Sequence, residues 1–221
     1  MIVKIGASLA CANQLELLKD INELIKNKID IIHVDIMDGV YVKNYCFGLQ
    51  IFDYLKYFKD VEIDVHLMVD NPFEKVDFFR GKLLNAVSFH VEAASNPIQT
   101  LKKIKDMGFK AGIAINAGSN ENLLDYLYEY VDYVLVMAVE AGFTGQAFIK
   151  SSIEKVRKIR GELDRKNYNI DIFVDGHING TTIKELYKAG ANVFIGGSSG
   201  LFRKGSSIKD NLEILRSSIS I

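Results

Sequence analysis

Short runs of β-branched and aromatic residues recur along the chain with apolar and polar positions alternating, and stretches with helical spacing separate them. In 31–37, Ile32, Val34 and Ile36 are apolar, while His33, Asp35 and Met37 take the alternate positions. The same segregation sets Val3, Ile5 and Ala7 against Lys4, Gly6 and Ser8, and Ile63, Val65 and Leu67 against Asp64, His66 and Met68. It recurs with Val87, Phe89 and Val91 against Ser88, His90 and Glu92, and with Ile170, Ile172 and Val174 against Asp171, Phe173 and Asp175. Successive strand side chains point to opposite faces, so each segment has one apolar face and one mixed face. Eight strands are predicted, within 3–8, 29–37, 61–69, 86–93, 110–116, 133–140, 170–176 and 192–197.

Helical spacing covers 13–27, where Leu15, Leu18, Ile21, Leu24 and Ile25 share a face. It also covers 96–108, 120–131, 153–166 and 181–190, is weaker over 50–58 and 72–80, and returns in an amphipathic segment at 206–219, which would dock on the barrel or on another subunit. Strands alternating with helices imply parallel pairing through right-handed crossovers. For 221 residues the expected fold is α/β, a single-domain (β/α)8 TIM barrel spanning 1–221. A doubly wound open sheet is the alternative, but "GASLAC" after the first strand is not GxGxxG.

In a barrel, the apolar faces pack under the helices and the mixed faces line the interior. Ser8, Asp35, His66, His90 and Asp175 all fall late in their strands, the end at which barrel active sites form. Taken singly, each has an ordinary reading: a strand histidine hydrogen-bonds in the core, an aspartate caps the next helix, and Met37, Met68 and Met137 fill gaps. Together, two histidines and two aspartates from three strands would put carboxylates in a poorly solvated pocket, which is costly without a partner. A divalent cation supplies one, and Zn²⁺, Fe²⁺, Mn²⁺ and Co²⁺ all suit two imidazoles and two carboxylates. His90 reads as a structural residue, a support behind the ligands or a substrate contact, and His177 as a weaker substrate contact.

Three Gly-rich turns follow the last three strands: "AGFTGQAF" (141–148), "DGHINGTT" (175–182) and "IGGSSGLF" (195–202). Backbone N–H groups in such turns hold phosphate without side-chain charge. No Walker or Rossmann pattern points to a nucleotide. A net charge of -1 gives no footprint for nucleic acid or an anionic membrane. The two cysteines, Cys11 and Cys46, make no CxxC and suit a reducing, cytoplasmic setting. Lys4 interrupts the first apolar run, against a secretion signal, and no apolar stretch is long enough to span a membrane.

In order, "HVDIMDGVYVKN", "DVHLMV", "FHVEA", "VLVMAVEAGFTGQAFI", "VDGHIN" and "GGSSGLF" resemble the successive signatures of the ribulose-phosphate 3-epimerase family, from Ser8 to about Phe202. The resemblance implies a TIM barrel of the ribulose-phosphate-binding type that inverts C3 of a ketose phosphate with one divalent metal ion. Zn²⁺ is placed first, and Mg²⁺ joins the alternatives. It implies His33, Asp35, His66 and Asp175 as metal ligands, with Asp35 and Asp175 as the acid–base pair. Ser8 and His66 would contact the sugar, and Met37, Met68 and Met137 would form a sulfur-bearing wall. Gly142, Phe143, Thr144, Gly145, Gly176, His177, Gly197 and Ser198 would hold the phosphate end. A homo-oligomer is also implied.

There are departures from the family pattern. Ala117 and Ala141 stand where proline is usual, which should loosen two loops. His177 stands where a second glycine is usual, an uncomfortable place for a side chain if φ is positive. The residue after "VDG" and the stretch "VFIGGSSGLF" lean toward the allulose-6-phosphate 3-epimerase branch. Other phosphate-binding barrels, such as decarboxylases and tryptophan-pathway isomerases, use Lys–Asp or Cys–Asp sets, and no lysine falls late in the candidate strands. A non-catalytic sugar-phosphate-binding barrel is the reading from a different class.

Overall fold

The computed structural model describes residues 2–219. In chain order its elements are β1 (Lys4–Ser8), α1 (Leu17–Lys26), β2 (Ile31–Asp38), β3 (Tyr45–Cys46), α2 (Ile51–Leu55), β4 (Glu62–Met68), α3 (Pro72–Lys75), β5 (Ala86–His90), α4 (Pro97–Asp106), β6 (Lys110–Ile115), β7 (Tyr133–Met137), α5 (Ser151–Arg165), β8 (Asp171–Asp175), α6 (Thr182–Ala189), β9 (Val193–Gly196) and α7 (Ile208–Ile219). Eight strands run parallel in the order β1-β9-β8-β7-β6-β5-β4-β2, and a β1–β2 pairing closes the ring. The fold is a (β/α)8 TIM barrel. The ninth strand, β3, turns back antiparallel on the end of β2 and sets Cys46 opposite Met37 at the rim. Among the described residues, no helix is long and apolar enough to cross a membrane.

Period-two alternation translates directly into two cores. The apolar faces (Ile32, Val34, Val65, Val87, Phe89, Ile172 and Val174 among them) join buried residues of the helices in one continuous shell. The mixed faces turn inward, where Ile31, Ala86, Ala114, Tyr133, Leu135, Phe173, Val193 and Ile195 fill the barrel. A buried Leu, Ile or Val contributes about 1.5–3 kcal/mol relative to exposure, so the outer shell sets the register of every strand.

The helix expected over 120–131 is not formed. A 3₁₀ turn, Glu121–Leu124, stands there, followed by turns closed at three-residue spacing, from Leu127 N–H to Leu124 O (2.8 Å) and from Tyr130 N–H to Leu127 O (2.9 Å). Leu124 and Leu127 are buried at that spacing, which mimics a helical stripe in the sequence. Asn120 accepts a hydrogen bond from Asn122 N–H at 2.9 Å, a local bond that competes with helix formation. The three tyrosines of the segment are also modest helix formers. Two predicted strands end early: β5 stops at His90, with a 3₁₀ turn over Val91–Ala93, and β7 stops at Met137. The weak helical segment at 72–80 divides into α3 and a 3₁₀ turn, Val76–Phe79. The amphipathic C-terminal segment docks on its own barrel as α7, burying Leu212 and Leu215, with Asn211 Nδ2 donating to Leu201 O at 3.0 Å.

One glycine gives the interior its shape. A Cβ on Gly112 would lie 2.3 Å from Cζ of Tyr133, whose ring lies across the barrel with its centroid 4.4 Å from that of Phe173. Gly112→Ala is therefore expected to destabilise the fold by about 1–3 kcal/mol through overpacking. The urea midpoint reads this, and an unchanged midpoint would show that the ring has room to move.

Candidate metal centre and active-site mouth

The late-strand residues meet. One ligand atom from each of His33, Asp35, His66 and Asp175 lies within 4.8 Å of the others. The ladder explains the meeting: Asp35 on β2 is in register with His66 on β4, and Asp175 closes the ring from β8, in register with Met137. Both imidazoles are fully buried. His33 Nε2 makes no hydrogen bond and lies 3.4 Å from Asp35 Oδ1. His66 Nδ1 is 3.1 Å from the same oxygen, and Ser8 Oγ donates to Asp35 Oδ2 at 3.0 Å. An unpartnered buried nitrogen beside two carboxylates and a second imidazole fits a divalent cation, which all four groups could hold.

Each imidazole is backed on its other nitrogen. His33 Nδ1 is 2.7 Å from Asp64 Oδ2, and Asp64 Oδ1 accepts the Tyr133 hydroxyl at 2.5 Å. His66 Nε2 is 2.9 Å from His90 Nε2, and His90 Nδ1 is 3.3 Å from Glu92 Oε2. Such backing fixes which nitrogen carries the proton and so which one presents a lone pair.

The electrostatics separate the two aspartates. Burial and the nearby charge of Asp35 push the Asp175 carboxyl up to about 6. Burial pushes Asp35 up as well, but the imidazoles of His33 and His66 override it and hold that carboxyl well below the usual range. Burial lowers His33, yet Asp35 and Asp64 reverse this and raise it well above the ordinary imidazole. His66 is lowered, chiefly by burial.

Above the cluster opens a small cavity of about 60 Å³. Ser8, Asp35, Met37, Met68, Met137, Asp175, Gly176 and His177 line it, together with 142–145, Gly197 and Ser198. Every residue assigned from the sequence to substrate contact lines it except His66, which lies behind, between Asp35 and His90. Cys11, Val139, Glu140, Gln146 and Ser199 also line it; the last four lie within the motifs quoted above, but none of the five was singled out as a site residue. Cys11 and Cys46 are free, and burial pushes their thiols up to about 11 and about 12.

The two alanine loops are tied by side chains. Lys155 Nζ, buried under α5, donates to Asn116 O and Ala117 O at 2.5 and 2.8 Å, holding the turn after β6. After β7, Gln146 Nε2 donates to Glu140 O and Phe143 O, and Asn44 Nδ2 donates to Gly142 O. His177 does sit at positive φ, +53°. That conformation is strained by about 1–2 kcal/mol for a side-chain-bearing residue, and its Nδ1–H donates to Gln146 O at 2.7 Å, joining the two turns. Gly176, at φ +113°, admits no side chain: a Cβ would lie 2.8 Å from Val139 N.

Residues 4–202 match the model of the ribulose-phosphate 3 epimerase family. The chain belongs to the ribulose-phosphate 3-epimerase family. It is 36% identical over 200 residues to the ribulose-phosphate 3-epimerase of Methanocaldococcus jannaschii, covering 90% of this chain and 84% of that one. It is 38% identical over 184 residues to that of Aquifex aeolicus (83% and 82%) and 32% identical over 199 residues to that of Bacillus subtilis (90% and 92%). Among solved structures it is similar to a 3-hexulose-6-phosphate synthase (TM-score 0.69, 16% identity, 99% and 100% of the two chains). It is also similar to phosphoribosyl anthranilate isomerase from Thermus thermophilus (TM-score 0.68, 11% identity, 98% of both). At those identities the likeness shows the fold alone. Family membership makes the chain an enzyme of the isomerase class, an epimerase of carbohydrate phosphates, and removes the non-catalytic barrel from contention.

A proton and a cation compete for this cluster, which sets a pH dependence. Asp35 and Asp64 raise the His33 imidazole above its ordinary value and Asp175 is pushed up to about 6, so a cation that binds must displace the protons these groups hold. Apparent Zn²⁺ affinity should therefore fall as pH falls, and more steeply below pH 6. Titration calorimetry in buffers of different ionisation enthalpy counts the protons, and binding without proton release would contradict the assigned ligands.

Proposed function

We propose that the chain interconverts two ketose phosphates epimeric at C3, of the D-ribulose 5-phosphate and D-xylulose 5-phosphate type, with Asp35 and Asp175 as the paired base and acid. The observation that carries the reading is the opposite displacement of two carboxylates within one cluster at the floor of the mouth cavity. A C3 proton beside a carbonyl is weakly acidic, and exchanging it from opposite faces needs one ionised and one protonated group. Asp35, held ionised by the imidazoles, takes the proton from C3. Asp175, whose carboxyl burial and the charge of Asp35 push up to about 6, holds a proton more readily than Asp35 and returns one from the other face, and the roles exchange in the reverse direction.

His33, Asp35, His66 and Asp175 would hold one divalent cation, Zn²⁺ first, with Fe²⁺, Mn²⁺, Co²⁺ and Mg²⁺ as alternatives. When bound, it supplies Lewis-acid stabilisation of the negative charge that develops on substrate oxygen. Ser8 orients Asp35 and reaches the sugar. Met37, Met68 and Met137 wall the reacting carbon with polarisable groups that donate no protons. The turns at 142–145, Gly176–His177 and Gly197–Ser198 turn backbone N–H groups to the phosphate.

A second reading, epimerisation of allulose 6-phosphate to fructose 6-phosphate, is favoured by one feature: the turn after β8 carries the His177 side chain in place of a second glycine, tied to Gln146. Turnover on ribulose 5-phosphate and on allulose 6-phosphate, after chelation and re-addition of each ion, decides between them. Chelation should abolish turnover, and one ion should restore it. Asp35→Asn and Asp175→Asn should each lower turnover on the order of 10³-fold or more while the protein still melts cooperatively. Near-normal turnover in either variant would end the two-carboxylate scheme.

A further inference from the structure

An aspartate sealed inside the barrel, with no part in the proposed chemistry, stands directly behind one member of the cluster. Asp64, on β4, is the ladder neighbour of His33 on β2, and its side chain turns to the same interior face. Its Oδ2 lies 2.7 Å from His33 Nδ1. Its Oδ1 accepts the hydroxyl of Tyr133, which reaches across the interior from the start of β7. His33, Asp64 and Tyr133 are 0%, 2% and 2% exposed, so bulk water does not stand in for any of these bonds. The space for the tyrosine is made by Gly112, and its ring is set against Phe173. The barrel thus gives up a side chain on β6 to bring one phenol to one carboxylate.

The hydrogen-bond inventory then allows one arrangement. A carboxylate only accepts, so the His33 nitrogen facing Asp64 carries a proton. The other nitrogen, Nε2, is the buried atom without a partner, and it faces Asp35. The tyrosine has one proton to give and gives it to Oδ1, which leaves Oδ2 for the imidazole and stops the carboxylate from rotating. His66 is served differently, through His90 to the partly exposed Glu92, so its support is open to solvent where that of His33 is not.

We infer that Asp64 and Tyr133 are positioning residues for the cation site: they hold the proton on His33 Nδ1 and aim the Nε2 lone pair into the cluster. This rests on the metal reading proposed above. Asp64→Asn replaces an acceptor by an amide that can donate to Nδ1 and so favour the tautomer with its proton on Nε2. Tyr133→Phe keeps the ring in its place and removes only the hydroxyl.

The test is Zn²⁺ affinity, measured on metal-stripped protein by competition with a chelator, together with the ¹H–¹⁵N signal of His33 Nδ1–H in the Zn²⁺-loaded protein. Asp64→Asn should weaken Zn²⁺ binding about 10–100-fold and lose the exchange-protected Nδ1–H signal. Tyr133→Phe should weaken it by a smaller, measurable factor. A merely structural role for Asp64 would lower the melting temperature and leave the affinity and the signal of the folded protein alone. If Asp64→Asn does not fold, Tyr133→Phe decides by the same readings. Wild-type protein that binds Zn²⁺ while the deciding variant binds it equally well would overturn this inference alone. Wild-type protein that binds none would overturn the metal reading, and this inference with it.

Discussion

Two carboxylates and two imidazoles crowd together at the rim of a barrel, three of them buried and Asp175 only partly exposed, and the rest of the molecule is arranged around that fact. Bringing ionised groups into such a pocket is unfavourable by several kcal/mol each unless they are compensated. Part of the compensation is internal: Ser8 on Asp35, Asp64 on His33, and His90 on His66. It is incomplete, because His33 Nε2 is left without a partner and Asp175 is driven up by burial and by its neighbour's charge. A divalent cation would supply the remaining compensation.

The scaffold makes this tension tolerable. The outer faces of the strands lock into one apolar shell under the helices, so the register that aligns Asp35 with His66 is secured by residues far from the chemistry. The loops of the mouth are held by long side chains. Lys155 grips the turn after β6, while Gln146, Asn44 and His177 hold the turn after β7. These ties hold the two loops that carry Ala117 and Ala141. The strained backbone of His177 is kept because its ring joins two turns that the proposed phosphate site uses together.

Much of this was legible in the sequence because barrel strands separate their two faces by position. The alternation around His33 and Asp35, and again around His66 and Asp175, identified both the interior face and the end at which it becomes a site. Side chains that arrive from a distance were not legible. Tyr133 lies in the predicted strand 133–140 and Lys155 in the predicted helix 153–166, and nothing in either segment singled them out. Asp64 was visible on the interior face, but its role depends on a tyrosine three strands away. The segment 120–131 misled for a local reason: buried leucines three apart satisfy a 3₁₀ turn as well as a helix, and the side chain of Asn120 tips the balance.

The account stands on the claim that one cation sits among His33, Asp35, His66 and Asp175. Anomalous X-ray scattering at the zinc edge, from crystals of metal-stripped protein soaked in Zn²⁺, addresses it directly. The prediction is one strong peak per chain within bonding distance of His33 Nε2, His66 Nδ1 and a carboxylate oxygen of each aspartate. Zinc found only at the surface, with the four side chains unchanged around a vacant centre, would contradict it.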